Sequence, residues 1–118
     1  MSVLARPIHR ETIFAGEDVE EHRFVNVDGE YPASNGDPVF GATDYAAKED
    51  EQVAVVTDGT ATVEVGAAVS KGREVMSNTD GRAIHWTSGE ISAGIALEAG
   101  ASSGDKIRVK VRSRGETS

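Results

Sequence analysis

The chain has 118 residues, no cysteine, few aromatic residues and a formal net charge of −8. Its length fits one domain, and the absence of cysteine excludes disulfides, thiolate metal sites and a cysteine nucleophile. No apolar run approaches the roughly 20 residues of a membrane span, and residues 1–10 lack the apolar core of a secretory signal. We therefore expect a soluble protein that is not exported.

The charge is unevenly distributed along the chain. Residues 1–52 hold twelve acids and four bases, whereas residues 53–118 hold eight of each. Nucleic-acid binding relies on neutralising phosphates, so the acidic half disfavours that class of partner. The basic run at residues 106–114 is the exception, and we interpret it as a solvated strand face.

Residues 1–33 differ from the rest of the chain. They are polar with scattered apolar side chains and show no repeating amphipathic pattern. Within them, residues 23–27 read as a strand, followed by a turn signal at Asp28-Gly29. We predict that residues 1–33 form an extended N-terminal arm rather than a domain of their own.

From residue 34 onward, short apolar runs alternate with turn residues. Residues 52–57 and 61–65 flank Asp58-Gly59, a two-residue signal that predicts a β-hairpin. Residues 67–71 would form a short helical turn that Gly72 ends. Further strands are expected from Val39 and over residues 74–76, 82–86 and 94–97.

The last strand has the clearest pattern. Ile107, Val109 and Val111 alternate with basic residues, and a period of two places the two sets on opposite faces of a sheet. Together these signals predict an all-β fold, a small barrel or sandwich of about seven or eight short strands over residues 34–113. Residues 114–118 would be a flexible tail.

No catalytic or metal-binding constellation is visible. The spacing of His9, His22 and His85 matches no zinc pattern, and no serine lies in a G-x-S-x-G turn. The acids between Asp44 and Glu51 lack the spacing of an EF-hand, so we interpret them as a solvated loop. We expect no catalytic residue, no bound metal and no cofactor.

Three segments resemble the capsid decoration, or head-cement, proteins of tailed phages. They are GAAVSKGREVMSNTDGRAIHW from Gly66, GIALEA from Gly94 and SGDKIRVKV from Ser103, and GDPV at Gly36 resembles the family's early strand entry. The likeness covers about residues 34–112. It implies a β-barrel or β-tulip module with an N-terminal arm that reaches the capsid lattice.

The resemblance also implies a function. Members of this family are structural rather than enzymatic, form homotrimers and bind the outer capsid surface at threefold and quasi-threefold positions. There they bridge major capsid proteins and stabilise the expanded head. For this chain the resemblance implies a virion protein made in the host cytoplasm, with the major capsid protein as partner and neither nucleic acid nor membrane.

Candidate contact residues follow from this interpretation. We expect the arm to touch the capsid through its apolar side chains, which are Val3, Leu4, Ile8, Ile13 and Phe14. Trp86, the one tryptophan, is the candidate for the trimer interface.

Two alternatives stay open. One is another virion barrel, from a tail or baseplate. The other is a small sugar-binding or hydrolytic β-domain, which would need a cleft that gathers His85, Trp86 and an acid.

Overall fold

One long strand organises the sheet of this protein. The computed structural model describes residues 9–112, in which all regular elements are strands: β1 (His9–Phe14), β2 (Phe24–Val25), β3 (Gly41–Thr43), β4 (Gln52–Glu64), β5 (Glu74–Ser77), β6 (Ala83–His85), β7 (Gly94–Ala96) and β8 (Lys106–Arg112). The sheet order is β2-β3-β4-β8-β7-β5-β6, and β1 also pairs with β4. A parallel bridge between Val65 and Ala83 brings β6 back to the end of β4. The sheet is thus nearly closed into a barrel, which confirms the predicted all-β fold class.

The hairpin predicted at Asp58-Gly59 is wrong, because β4 runs without reversal through both residues. His9 pairs with Asp58 but Arg10 pairs with Val56, so the register passes over Thr57. Gly59 has a φ of +107°. A glycine with positive φ beside a register shift is typical of a β-bulge, which bends a strand without ending it.

The bend at Asp58-Gly59 separates two structural repeats. Repeat I comprises residues 9–58 and repeat II comprises residues 59–112. In repeat I, β1 pairs with the first half of β4, and Ile13 lies opposite Val53. In repeat II, the second half of β4 pairs with β8, and Val63 lies opposite Ile107. The β2–β3 and β5–β7 pairs correspond in the same way.

Each repeat is tied together by two facing loops, which we call a clasp. The first clasp joins residues 15–23 to 43–51, and the second joins residues 65–73 to 96–105. Val19 and Ala47 exchange two backbone hydrogen bonds in the first, at 2.8 and 2.9 Å, and Val69 and Gly100 exchange two in the second, both at 2.9 Å. Each clasp contains two residues with positive φ, one in each loop: His22, Asp50, Gly72 and Gly104.

Residues 67–71 therefore lie in the second clasp, and the helical turn predicted there is wrong. The backbone N–H of Gly72 donates to the carbonyl of Ala96, and the N–H of Ala96 donates to the carbonyl of Arg73. These bonds link the loop to a distant strand, whereas a helical turn would satisfy its own backbone. In residues 9–112 no helix is present that could cross a membrane.

Each repeat has its own apolar core at equivalent positions. The repeat I core is Ala15, Val19, Val25, Ala47, Val53 and Val55, with Ile13, Tyr31 and Phe40 packed against it. The larger cluster contains the repeat II residues Val63, Val65, Val69, Val75, Ala83, Ala93, Ala96, Ile107, Val109 and Val111. Phe24, Val39 and Ala42 of repeat I also belong to this larger cluster, so one face of repeat I packs onto the core of repeat II.

Candidate functional site

The residues predicted to touch a partner begin with the N-terminal segment. Val3, Leu4 and Ile8 lie outside the described residues. Ile13 is half-buried against the repeat I core, whereas the side chain of Phe14 is 62% exposed. Period-two alternation in β1 separates the two neighbours onto opposite faces of the sheet. Residues 9–33, grouped with the arm in the sequence analysis, contribute β1 and β2 to the sheet.

A second exposed apolar feature is a groove of about 400 Å³ between loop residues of repeat I. Its apolar lining includes Val27, Pro32, Pro38 and Phe40, and Val27 is 66% exposed. Asn26, Asp28 and Asp37 supply polar groups at the groove. Sequence reasoning missed this groove because the same prolines and asparagine also read as ordinary turn residues.

His85 is the last residue of β6, and Trp86 follows it directly. The indole N–H of Trp86 donates to the carbonyl of Glu90 at 2.8 Å, which fixes the ring over its own loop. The backbone N–H of Ser70 donates to Nε2 of His85 at 3.1 Å. That nitrogen is therefore already used as an acceptor, which weakens the interpretation of His85 as a general base in a hydrolytic site.

Two acids, Glu51 of the Asp44–Glu51 region and Asp18 of the facing loop, serve the backbone of the first clasp. The Glu51 carboxylate accepts from the N–H of Lys48 at 2.9 Å, and Asp18 accepts from the N–H of Glu49 at 2.9 Å. Over residues 9–112 no group of three or more His, Asp or Glu side chains is placed to hold a metal ion.

An ion triad joins the two repeats. A carboxylate oxygen of Glu64 lies 3.4 Å from Nη2 of Arg23, and the other lies 3.0 Å from Nε of Arg82. Only 13% of the Glu64 side chain and 12% of the Arg23 side chain are exposed. The Arg23 guanidinium also donates to the carbonyl of Asp80 at 3.1 Å. This triad is a structural element that ties the repeats together, in which two guanidinium groups share one carboxylate.

The candidate features of this protein are therefore exposed surfaces and loops. A structural binding protein would use such features, and the comparison with known proteins points to that class. The model of one protein family, described as phage cement protein, matches residues 8–112. This chain belongs to the phage cement protein family. The match covers every residue that the structure describes. The protein is thus a structural component that binds a phage capsid, and its place is the virion.

The fold of this cement protein also occurs in a solved phage structure. The N base of head fiber gp8.5 of bacteriophage phi29 matches with a TM-score of 0.70 and 17% sequence identity, covering 87% of this chain and 92% of that one. At this identity the likeness concerns the fold. No curated protein matches the chain.

Membership in the family changes which features matter. A cement protein acts through surfaces, so the exposed Phe14 and the groove beside Val27 are candidates for contact with a partner. Two further large apolar side chains, Tyr45 and Ile91, are also exposed, at 47% and 39%.

Proposed function

We propose that this cement protein forms homotrimers on the outer capsid surface, at threefold and quasi-threefold positions. There it bridges neighbouring major capsid proteins and stabilises the expanded head. The observation that carries this proposal is the match of the phage cement family to residues 8–112, which includes β1 as well as the barrel.

The position of β1 supports an arm that contacts the capsid. In residues 9–112, β1 pairs only with β4, so its other edge is free of strand partners. An edge strand can add to a sheet of a partner through main-chain hydrogen bonds. Residues 1–8 precede this strand in the sequence and contain Val3, Leu4 and Ile8. We assign these side chains, with Phe14, to the capsid contact and Trp86 to the trimer interface, whereas Ile13 packs against the repeat I core.

A head component is favoured over a tail or baseplate barrel. The family description names a cement protein, and the similar solved structure is described as part of a head fiber. Copy number separates these classes. A decoration protein approaches the number of capsid subunits in purified virions, whereas a baseplate part is present in few copies.

The test compares capsids that carry the protein with capsids assembled without it. We expect capsids that lack it to rupture at a lower temperature, and added protein to restore the wild-type rupture temperature. Cryo-electron microscopy of the restored particle should show density at threefold positions. Equal heat resistance with and without the protein would contradict the stabilising role, and density at other positions would contradict the proposed geometry.

A further inference from the structure

One sheet face of repeat II is open and rich in basic side chains. We call it the basic face, formed by the outward side chains of β8 (Lys106, Arg108 and Lys110) and by Ile95 of β7, with Glu74 of β5 opposite Ile95 at its far edge. Ile95 lies opposite Lys110 in the β7–β8 ladder and is half-exposed. Arg108 is paired with Glu98 at 2.6 Å, whereas Lys106 and Lys110 make no ion pair within residues 9–112.

The equivalent face of repeat I is covered. The register places Ala42 opposite Val56, as Ile95 lies opposite Lys110. Ala42 and Val56 are 0% and 1% exposed, and Ala42 packs with the core of repeat II. In repeat I, this face is therefore buried by packing against repeat II. In repeat II the equivalent face is open, and Lys110 stands at the position equivalent to Val56.

The first clasp carries charges of the opposite sign. Four exposed acids lie on it: Glu20, Glu21, Glu49 and Asp50. Within residues 9–112, no backbone N–H donates to the carboxylates of Glu20, Glu21 and Asp50. The second clasp has the same hydrogen bonds with Ser70 and Lys71 in place of Glu20 and Glu21. The backbone of the clasp therefore does not require these acids. We call this surface the acidic clasp.

The two repeats differ sharply in total charge. Repeat I holds thirteen acids and three bases, a net charge of −10, and repeat II holds six acids and seven bases, a net charge of +1. Two copies oriented alike therefore repel through repeat I. Two copies that place repeat I beside repeat II avoid that repulsion, because complementary potentials steer and orient association.

We propose that the acidic clasp of one copy packs on the basic face of the next copy, and that this contact forms part of the interface of the oligomer. The inference rests on the proposed homotrimer and identifies its interface. The contact joins two different surfaces, so it is heterologous, and a heterologous contact closes into a ring when its rotation is a whole fraction of a turn. Ile95 provides an apolar centre, and the lysines provide a charged rim.

The experiment reverses the charges on each side of the contact separately and together. One variant carries Lys106→Glu and Lys110→Glu, a second carries Glu20→Lys and Glu49→Lys, and a third carries all four. A control carries Glu30→Lys, an exposed repeat I acid outside the acidic clasp. Sedimentation of the full chain measures the association constant in 0.1 M and 1 M salt, and circular dichroism verifies folding.

We expect each two-residue variant to associate at least about tenfold more weakly than wild type, because loss of close charge pairs across an interface typically has an effect of this size. The four-residue variant should regain association, and the control should retain it. High salt should weaken the wild type, because the screening length falls from about 10 Å at 0.1 M to about 3 Å at 1 M.

Three results would overturn the inference: association that the reversals leave unchanged, failure of the four-residue variant to recover, or a wild-type chain that is monomeric at every concentration. Binding to stripped capsids is measured in parallel by co-sedimentation. A chain that binds capsids but fails these tests disproves the interface and leaves the capsid role intact. A chain that trimerises as expected but does not bind capsids supports the interface and contradicts the capsid role.

Discussion

Asn26 and Asn78 occupy the same position in two turns that share one hydrogen-bond pattern. The Oδ1 of each accepts from the backbone N–H groups two and four residues further along, at 3.0 and 3.1 Å in the first turn and 2.9 Å twice in the second. The glycine that ends each turn has a φ of 74° or 75°. The two turns lie at equivalent places in repeats I and II, so the internal repeat extends to individual side chains.

Replacing either asparagine by alanine should destabilise the protein to a similar extent. Each substitution removes a half-buried asparagine that accepts from two backbone N–H groups, and we expect a loss of about 1–2 kcal/mol in the free energy of unfolding. Urea denaturation of Asn26→Ala and Asn78→Ala measures it. The matched controls Asn26→Asp and Asn78→Asp keep the acceptor oxygen and should lose less. A large loss at one position and none at the other would show that the two turns are not energetically equivalent.

The same turns show what sequence reasoning could and could not recover. The pattern N-x-D-G occurs at residues 26–29 and 78–81, and this spacing is a signal of the repeat. Each copy alone indicated only a turn. The rest of the repeat is hidden because equivalent core positions differ in identity, as with Val53 and Ile107, while keeping the same burial. Packing constrains volume and polarity far more than residue identity.

The alternation of β8 predicted that strand correctly, because one face is buried and the other is exposed. The Asp58-Gly59 signal failed because a glycine with positive φ serves a bulge as well as a hairpin, and only the partners of β4 distinguish the two. The contact role of Phe14 stays a prediction, and its side chain is exposed. The groove beside Val27 was missed because its prolines and asparagine are also ordinary turn residues.

The ion triad should contribute to stability through Glu64. Substituting Glu64→Gln leaves Arg23 and Arg82 facing each other without a compensating charge. We expect a loss of about 2–3 kcal/mol, below the value for a fully buried pair because 30% of the Arg82 side chain is exposed. Denaturant titration at neutral pH provides the measurement.

The matched control for the triad is Glu98→Gln. Its pair with Arg108 is exposed on both sides, at 41% and 56%, and exposed pairs contribute less than about 1 kcal/mol. Equal losses from Glu64→Gln and Glu98→Gln would show that the triad between the repeats adds nothing beyond a surface pair.

Tyr31 should make stability depend on alkaline pH. Burial raises the pKa of its phenol above the ordinary value of 10.0, although its hydroxyl accepts from the backbone N–H of Glu20, which lowers it. The folded state therefore holds the phenol proton at a pH where the unfolded state has lost it. By linkage, the contribution is complete below pH 10 and falls as pH rises from 10 toward the raised pKa.

The variant Tyr31→Phe isolates this effect. We expect it to lose less stability than wild type between neutral pH and pH 11, even though it is less stable at pH 7 by about 1 kcal/mol through the lost acceptor for Glu20. Tyr45→Phe, at an exposed tyrosine, should follow the wild-type profile. Parallel pH profiles for wild type and Tyr31→Phe would disprove the linkage. Thermal unfolding at a series of pH values gives the comparison.

The two neighbours at the end of β1 allow capsid binding to be separated from folding. Phe14 is exposed and Ile13 packs against the repeat I core, so they differ in environment while sharing a strand. Under the proposed capsid contact, Phe14→Ser should weaken co-sedimentation with stripped capsids and leave the thermal midpoint within about 2 °C of wild type, as surface substitutions generally do. Ile13→Ala should lower the midpoint because it removes core packing, at a cost of about 1–3 kcal/mol for a half-buried side chain. If Phe14→Ser binds capsids as wild type does, this end of β1 faces solvent in the virion and the contact lies elsewhere. If it unfolds instead, the exposed ring stabilises the barrel, and its exposure then gives no information about a partner.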